Sequence, residues 1–179
     1  MTGELEVLEI VSSRFNAAQI PFMLTGSFAM AYYATPRMTR DIDLVVALGQ
    51  RDVQTVIRAF STDFYIDADD ALAAVLSRRL FNLMHLDSGI KVDLIVRKDS
   101  DYRQVEFDRR REVTMSGIKT WIVSREDLIL SKLLWAADSN SELQRRDVRS
   151  LLDGPVDSNY LEHWAAKLGV AGSLRELRP

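Results

Sequence analysis

Two hexapeptides constrain this chain more than any other feature. "DIDLVV" (residues 41–46) and "KVDLIV" (91–96) share one alternation, with an apolar residue at every second position and aspartates between. Strand side chains point to opposite faces in turn, so Ile42, Leu44 and Val46 form one face while Asp41 and Asp43 share the other. In the second hexapeptide Val92, Leu94 and Val96 repeat the apolar face, and Asp93 stands where Asp43 does. The correspondence predicts two neighbouring strands in one sheet, apolar faces to the core and three carboxylates gathered in one patch.

Such a patch is unfavourable alone. Two unit charges roughly 5 Å apart at an effective dielectric near 20 repel by about 3 kcal/mol. Three would raise one another's pKa or require a counter-charge. Mg²⁺ is a natural remedy, because it takes carboxylate oxygens, keeps waters and completes its octahedron with phosphates. An anion cradle lies just upstream. "IPFML" reads as a short buried strand that reaches Thr25-Gly26-Ser27, and "SFAMAYYA" as a helix opened by Ser27 and closed by Pro36. A strand turning into a helix presents unpaired N–H groups at the helix N-terminus. Gly26 leaves room for a phosphate, and Ser27 can cap the helix or donate to a phosphate oxygen.

The remaining pattern places these pieces. Leu5, Leu8, Val11 and Phe15 predict an amphipathic helix over 4–18. "RDVQTVIRAF" and "DDALAAVLSRR" read as helices around a short strand "DFYI". "LFNLMHL" and "GIKVDLIV" form a hairpin about Asp87-Ser88-Gly89, and "REVTMSGIKTWIV" forms two strands about Ser116-Gly117. From Ser124 the pattern is helical, with Ser124 and Asp127 spaced as a capping box. The expected fold is α/β (α+β): a mixed sheet flanked by helices over 1–122, with a small helical segment, 123–179, packed on it.

Composition excludes several alternatives. The chain has no cysteine and only two histidines, so disulfides and thiolate sites are ruled out. It contains no apolar run long enough to span a bilayer, and its acidic start does not resemble a signal peptide, so a cytoplasmic protein is expected. A net charge of −3 gives no global pull toward polyanions. Arg37 reads as a surface charge partner, and Arg109-Arg110-Arg111 as a solvated helix face. Trp121, Trp135 and Trp164 read as packing residues, His85 as a satisfied strand residue and His163 as surface. Lys132 and Asp147 lie on consecutive predicted helices whose antiparallel packing can bring them together, on structural grounds as an ion pair.

"GS", a gap of thirteen residues and "DID", followed by a third aspartate, resemble the signature of the nucleotidyltransferase superfamily related to DNA polymerase beta. "SREDLILSKLLWA" and "RRDVRSLL" are similar to the abortive-infection (AbiE-type) nucleotidyltransferase toxins of bacterial toxin–antitoxin pairs. The resemblance implies Mg²⁺ on Asp41, Asp43 and Asp93, with Asp93 a possible base. It implies nucleoside triphosphate held by Gly26, Ser27 and Lys132, with Asp147 orienting it and Arg40 touching the nucleotide. It further implies transfer of a nucleotide to an acceptor hydroxyl, with tRNA the first acceptor to try and an antitoxin protein as partner. The competing readings are an antibiotic- or protein-modifying transferase of the same fold, and a non-catalytic nucleotide-binding module.

Overall fold

The computed structural model describes residues 2–34, 41–139 and 141–178. Arg37 and Arg40, with the helix-closing Pro36, lie outside the described residues. Helix α1 (Thr2–Ala17) leads into β1 (Phe22–Leu24), α2 (Gly26–Tyr33) and β2 (Ile42–Val46). A short 3-10 turn and α3 (Val53–Phe60) precede β3 (Phe64–Tyr65), α4 (Ala68–Leu76), β4 (Leu80–His85) and β5 (Lys91–Val96). Next come α5 (Asp101–Asp108), β6 (Arg111–Met115) and β7 (Ile118–Ile122). Helices α6 (Arg125–Ser139), α7 (Glu142–Leu152), α8 (Ser158–Lys167) and α9 (Ala171–Leu177) complete the described chain.

The strands form one mixed sheet in the order β3-β4-β5-β2-β1-β7-β6. β2 and β5 are parallel neighbours in the predicted register, Ile42 opposite Val92 and Asp43 opposite Asp93. Parallel pairing needs a crossover, and the segment from α3 to β4 supplies it. One face is the core: Ile42, Leu44, Val46, Val92, Leu94 and Val96 are at most 1% exposed. Phe22, Phe15, Phe60 and Phe64 form a chain of tilted and edge-on ring contacts there, with centroids 5.2–5.5 Å apart. Ser12 on α1 and Thr120 on β7 exchange a buried hydrogen bond of 3.0 Å, so that polar pair is satisfied inside the core.

The other face is open in part. Asp43, Val45, Asp93 and Ile95 are half-buried. Beyond them the register continues through Asn82, Leu80 and Met84 to Tyr65, all exposed. Residues of α5 and α6 line a cavity together with Asp43, Val45, Asp93 and Ile95 of this face.

Asp127 ties the C-terminal helices to this frame. Its backbone N–H donates to Ser124 Oγ at 3.1 Å, the expected cap. Its fully buried carboxylate accepts from Ser124 Oγ at 2.5 Å, Arg109 Nε at 3.0 Å and Tyr160 Oη at 2.6 Å. One side chain therefore links the start of α6 to the end of α5 and to α8. Leu128, Ile129 and Leu133 of α6 and Leu161 of α8 belong to the same apolar cluster as the sheet.

Three expectations are corrected. Helix α5 was not foreseen, and it places the arginine triplet off any solvated helix face. Arg109 pairs with Asp127 and Glu126, Arg110 lies over Phe107 and Trp121, and Arg111 donates to the Tyr33 hydroxyl. Carboxylates and aromatic faces draw Arg109 and Arg110 into half-buried positions, while Arg111 stays exposed but on β6 rather than on a helix. Trp135 is not a packing residue: it is 63% exposed. Helix α2 opens at Gly26 rather than Ser27, with Thr25 as its N-cap.

Candidate active site

The site starts from the turn at the end of β1. Thr25 N–H donates to Asp43 O at 2.9 Å, fixing the turn against β2. Gly26 then adopts φ +62, a left-handed conformation that glycine tolerates. A Cβ at Gly26 would lie 2.0 Å from Asp43 Oδ2 and 2.9 Å from its Cβ. The glycine thus makes room for the Asp43 carboxylate itself. Thr25 makes no side-chain cap bond to α2, so that helix presents its first N–H groups without a side-chain acceptor from its cap. Ser27 follows in the first turn, 6% exposed.

Asp43 and Asp93 stand side by side on β2 and β5. Burial pushes the Asp43 pKa up to about 6, with further upward pressure from the Asp93 and Asp41 charges and partial relief from Lys132 and Lys91. The relief from Lys91 was not foreseen. Its Nζ lies 3.1 Å from Asp93 Oδ2 and 3.6 Å from Asp41 Oδ2, bridging the two carboxylates. Burial pulls the Lys91 ammonium toward neutrality, but the two carboxylates outweigh it and lift its pKa above the ordinary lysine range. Lys91 precedes Asp93 by two residues on β5, so strand alternation puts both on the open face. That alternation was the available signal.

Lys132 and Asp147 meet across α6 and α7. Nζ donates to Asp147 Oδ2 at 2.5 Å and to Gln144 Oε1 at 3.1 Å, and both charged residues are 5% exposed. Lys132 lines a cavity of about 480 Å³ together with Gly26, Ser27, Asp41, Asp43 and Asp93. Asp147 does not line it. It holds the lysine from behind. Exposed Trp135 stands one helical turn past Lys132 on the same wall. Arg103 and Glu106 of α5, also unforeseen, line the same cavity beside α6, with Ser131 Oγ donating to Glu106 Oε1 at 2.6 Å. Burial raises the Glu106 pKa, opposed chiefly by the Arg103 charge.

A second cavity of about 520 Å³ lies at the opposite end of α2, lined by Tyr32, Tyr33, Arg111 and Arg125. Its guanidiniums are committed to structural partners: Arg125 donates to the carbonyls of Leu151 and Tyr33. His85 is satisfied by Ser88 Oγ at 2.8 Å, as its strand position suggested.

The fit to a metal ion can be judged from the carboxylates. Among the described residues no group of three or more acidic or histidine side chains is close enough to hold an ion ready-made. Asp93 Oδ1, however, is buried with no hydrogen-bond partner. A buried carboxylate oxygen left this way is an open valence. Two adjacent carboxylates with one open oxygen suit Mg²⁺, which is usually held by one or two carboxylates plus substrate phosphates and water.

No protein-family model and no curated protein sequence matches the chain. Solved structures do. An antigenic nucleotidyltransferase-like protein from Paracoccidioides brasiliensis has TM-score 0.58 at 19% identity, covering 97% of this chain and 93% of its own. The lincosamide antibiotic adenylyltransferase LnuA, bound to lincomycin, has TM-score 0.56 at 17% identity, covering 83% and 95%. ANT(2")-Ia with adenylyl-2"-tobramycin has TM-score 0.56 at 13% identity, covering 94% and 98%. At such identities the likeness establishes architecture, and with the turn, sheet and cleft above it gives the conclusion that this chain has the nucleotidyltransferase-like fold.

Proposed function

We propose that the protein transfers a nucleotide from a nucleoside triphosphate to an acceptor hydroxyl, with Mg²⁺ held by the adjacent Asp43 and Asp93 and by Asp41 once the ion draws that carboxylate in. One observation carries this reading. Asp43 and Asp93 stand in register at the floor of a cavity that also receives the N-terminus of α2 and the Lys132 ammonium. Carboxylates for a cation and donors for a polyphosphate thus face one space.

Each residue has a role in that chemistry. The first N–H groups of α2 and Ser27 bind the β- and γ-phosphates. Lys132, held by Asp147, neutralises charge that grows on the leaving pyrophosphate. Arg40, directly before Asp41 in the sequence, contacts the nucleotide. Asp93 accepts the proton of the attacking hydroxyl. Trp135 offers a flat face at the cavity wall on which a base can stack, a contact worth about 1–3 kcal/mol. The metal supplies charge neutralisation at the transferring phosphoryl oxygens. The new bond joins the acceptor oxygen to the α-phosphorus, the bond from the α-phosphorus to the bridging oxygen breaks, and pyrophosphate leaves.

For the acceptor we take tRNA as the first candidate, and a bacterial toxin paired with an antitoxin as the setting, acting in the cytoplasm. The supports are the resemblance of the α6–α7 sequence to abortive-infection toxins and the observed meeting of Lys132 with Asp147. A second reading, modification of a small hydroxylated antibiotic, is favoured by the fold likeness to two antibiotic adenylyltransferases.

The test is transfer from four α-labelled nucleoside triphosphates with Mg²⁺ to total tRNA, to aminoglycosides and to lincosamides. Label in tRNA that disappears in Asp43→Ala and Asp93→Ala is the expected outcome. Label confined to an antibiotic would transfer the assignment to the second reading. Undiminished labelling by both variants would overturn the site.

A further inference from the structure

We infer that Lys91 is a resident counter-cation that competes with the divalent ion and ties metal binding to arrival of the triphosphate. The inference rests on the metal reading above and extends it to a residue with no place there. Its ground is the bridge from Lys91 Nζ to Asp93 Oδ2 at 3.1 Å and to Asp41 Oδ2 at 3.6 Å.

The electrostatics follow from those two distances. An ammonium shared by two carboxylates cancels the repulsion that would otherwise drive Asp41 and Asp93 apart. It therefore keeps them in place before any ion binds. The same charge repels a dication approaching those oxygens, so entry of the ion requires the ammonium to withdraw. Lys91 is 35% exposed at its side chain, and a lysine stem is flexible enough to swing its head into water. Among the buried side-chain oxygens of the described residues, Asp93 Oδ1 has no hydrogen-bond partner and is open to an ion. A triphosphate on α2 brings several negative charges to the cavity. That charge favours the dication over the ammonium, because the dication carries twice the charge into the same space. Metal alone is then held weakly, and metal with nucleotide tightly.

The experiment measures Mn²⁺ binding by electron paramagnetic resonance, with no turnover required. Wild type, Lys91→Met, Lys91→Arg and Asp43→Asn are compared without nucleotide and with a non-hydrolysable nucleoside triphosphate analogue. Lys91→Met should bind Mn²⁺ on the order of tenfold more tightly than wild type without nucleotide, the scale of one screened, partly exposed charge. The gain should shrink when the analogue is present. Lys91→Arg, which keeps the charge, should stay near wild type. If Asp43→Asn loses Mn²⁺ while Lys91→Met binds it no more tightly than wild type, this inference is overturned and the metal site stands. If Asp43→Asn binds Mn²⁺ as wild type does, the metal reading fails and this inference with it.

Discussion

A Cβ placed on Gly26 would lie 2.0 Å from Asp43 Oδ2, so the turn after β1 and the carboxylate on β2 fit together only because position 26 lacks a side chain. The backbone there is also left-handed, at φ +62. Gly26→Ala therefore meets two obstacles, steric overlap and an unfavourable φ. We expect a stability loss of about 1–3 kcal/mol by urea melting, with Mn²⁺ binding weakened because Asp43 must turn aside. An alanine variant with unchanged melting and metal binding would refute the packing argument.

The raised pKa of Asp43 makes the metal-free protein pH-sensitive. The folded value, about 6, lies above the reference 3.8, so the folded state holds the proton more tightly than the unfolded one. The stability this contributes is fully present below the unfolded value and is lost as pH rises through the folded value. Asp43→Asn removes the dependence. With chelator present the variant should exceed wild type by up to about 3 kcal/mol near neutral pH, and the two should converge as pH falls through the window. Parallel denaturation curves across that window would contradict the sign.

Lys132 and Asp147 are mutually dependent. Lys132→Ala leaves a buried carboxylate without its cation and should cost about 3–5 kcal/mol. The double variant Lys132→Met with Asp147→Leu should recover most of that stability, since a packed apolar pair can replace a buried ion pair. Nucleotide binding, measured by calorimetry, should remain lost in the double variant. Recovery of both would make the pair purely structural.

Trp135 is the converse case. At 63% exposure its removal leaves no cavity, so Trp135→Ala should melt within about 0.5 kcal/mol of wild type. Its affinity for nucleotide should fall several-fold, and the quenching of intrinsic fluorescence on nucleotide addition should diminish. Unaltered quenching and affinity would remove Trp135 from the site.

Legibility in the sequence followed the strength of each local pattern. The β2–β5 register was readable because two apolar faces and an aspartate repeat in step, and one-residue slippage would have buried the carboxylates. The capping role of Asp127 was readable from spacing, but not its grip on Tyr160, which joins residues far apart in the chain. Helix α5 escaped because "DYRQVEFD" is mostly polar and buries only Tyr102, Glu106 and Phe107, too few for a periodic signal. Lys91 escaped for a different reason. A lysine at the start of a strand reads as a solvent-facing end, and the second carboxylate it bridges, Asp41, lies fifty residues earlier, just before β2.

Helix α6 carries both Asp127, which anchors α8, and Lys132, which faces the cleft. They are separated by roughly 7.5 Å of helical rise. The segment after residue 122 is therefore a lever arm for the ammonium, and its seating sets where that charge points. If α8 unseats before the strands part, the cleft loses its ammonium first, and nucleotide affinity lost below the main calorimetric transition would be the signature of that order.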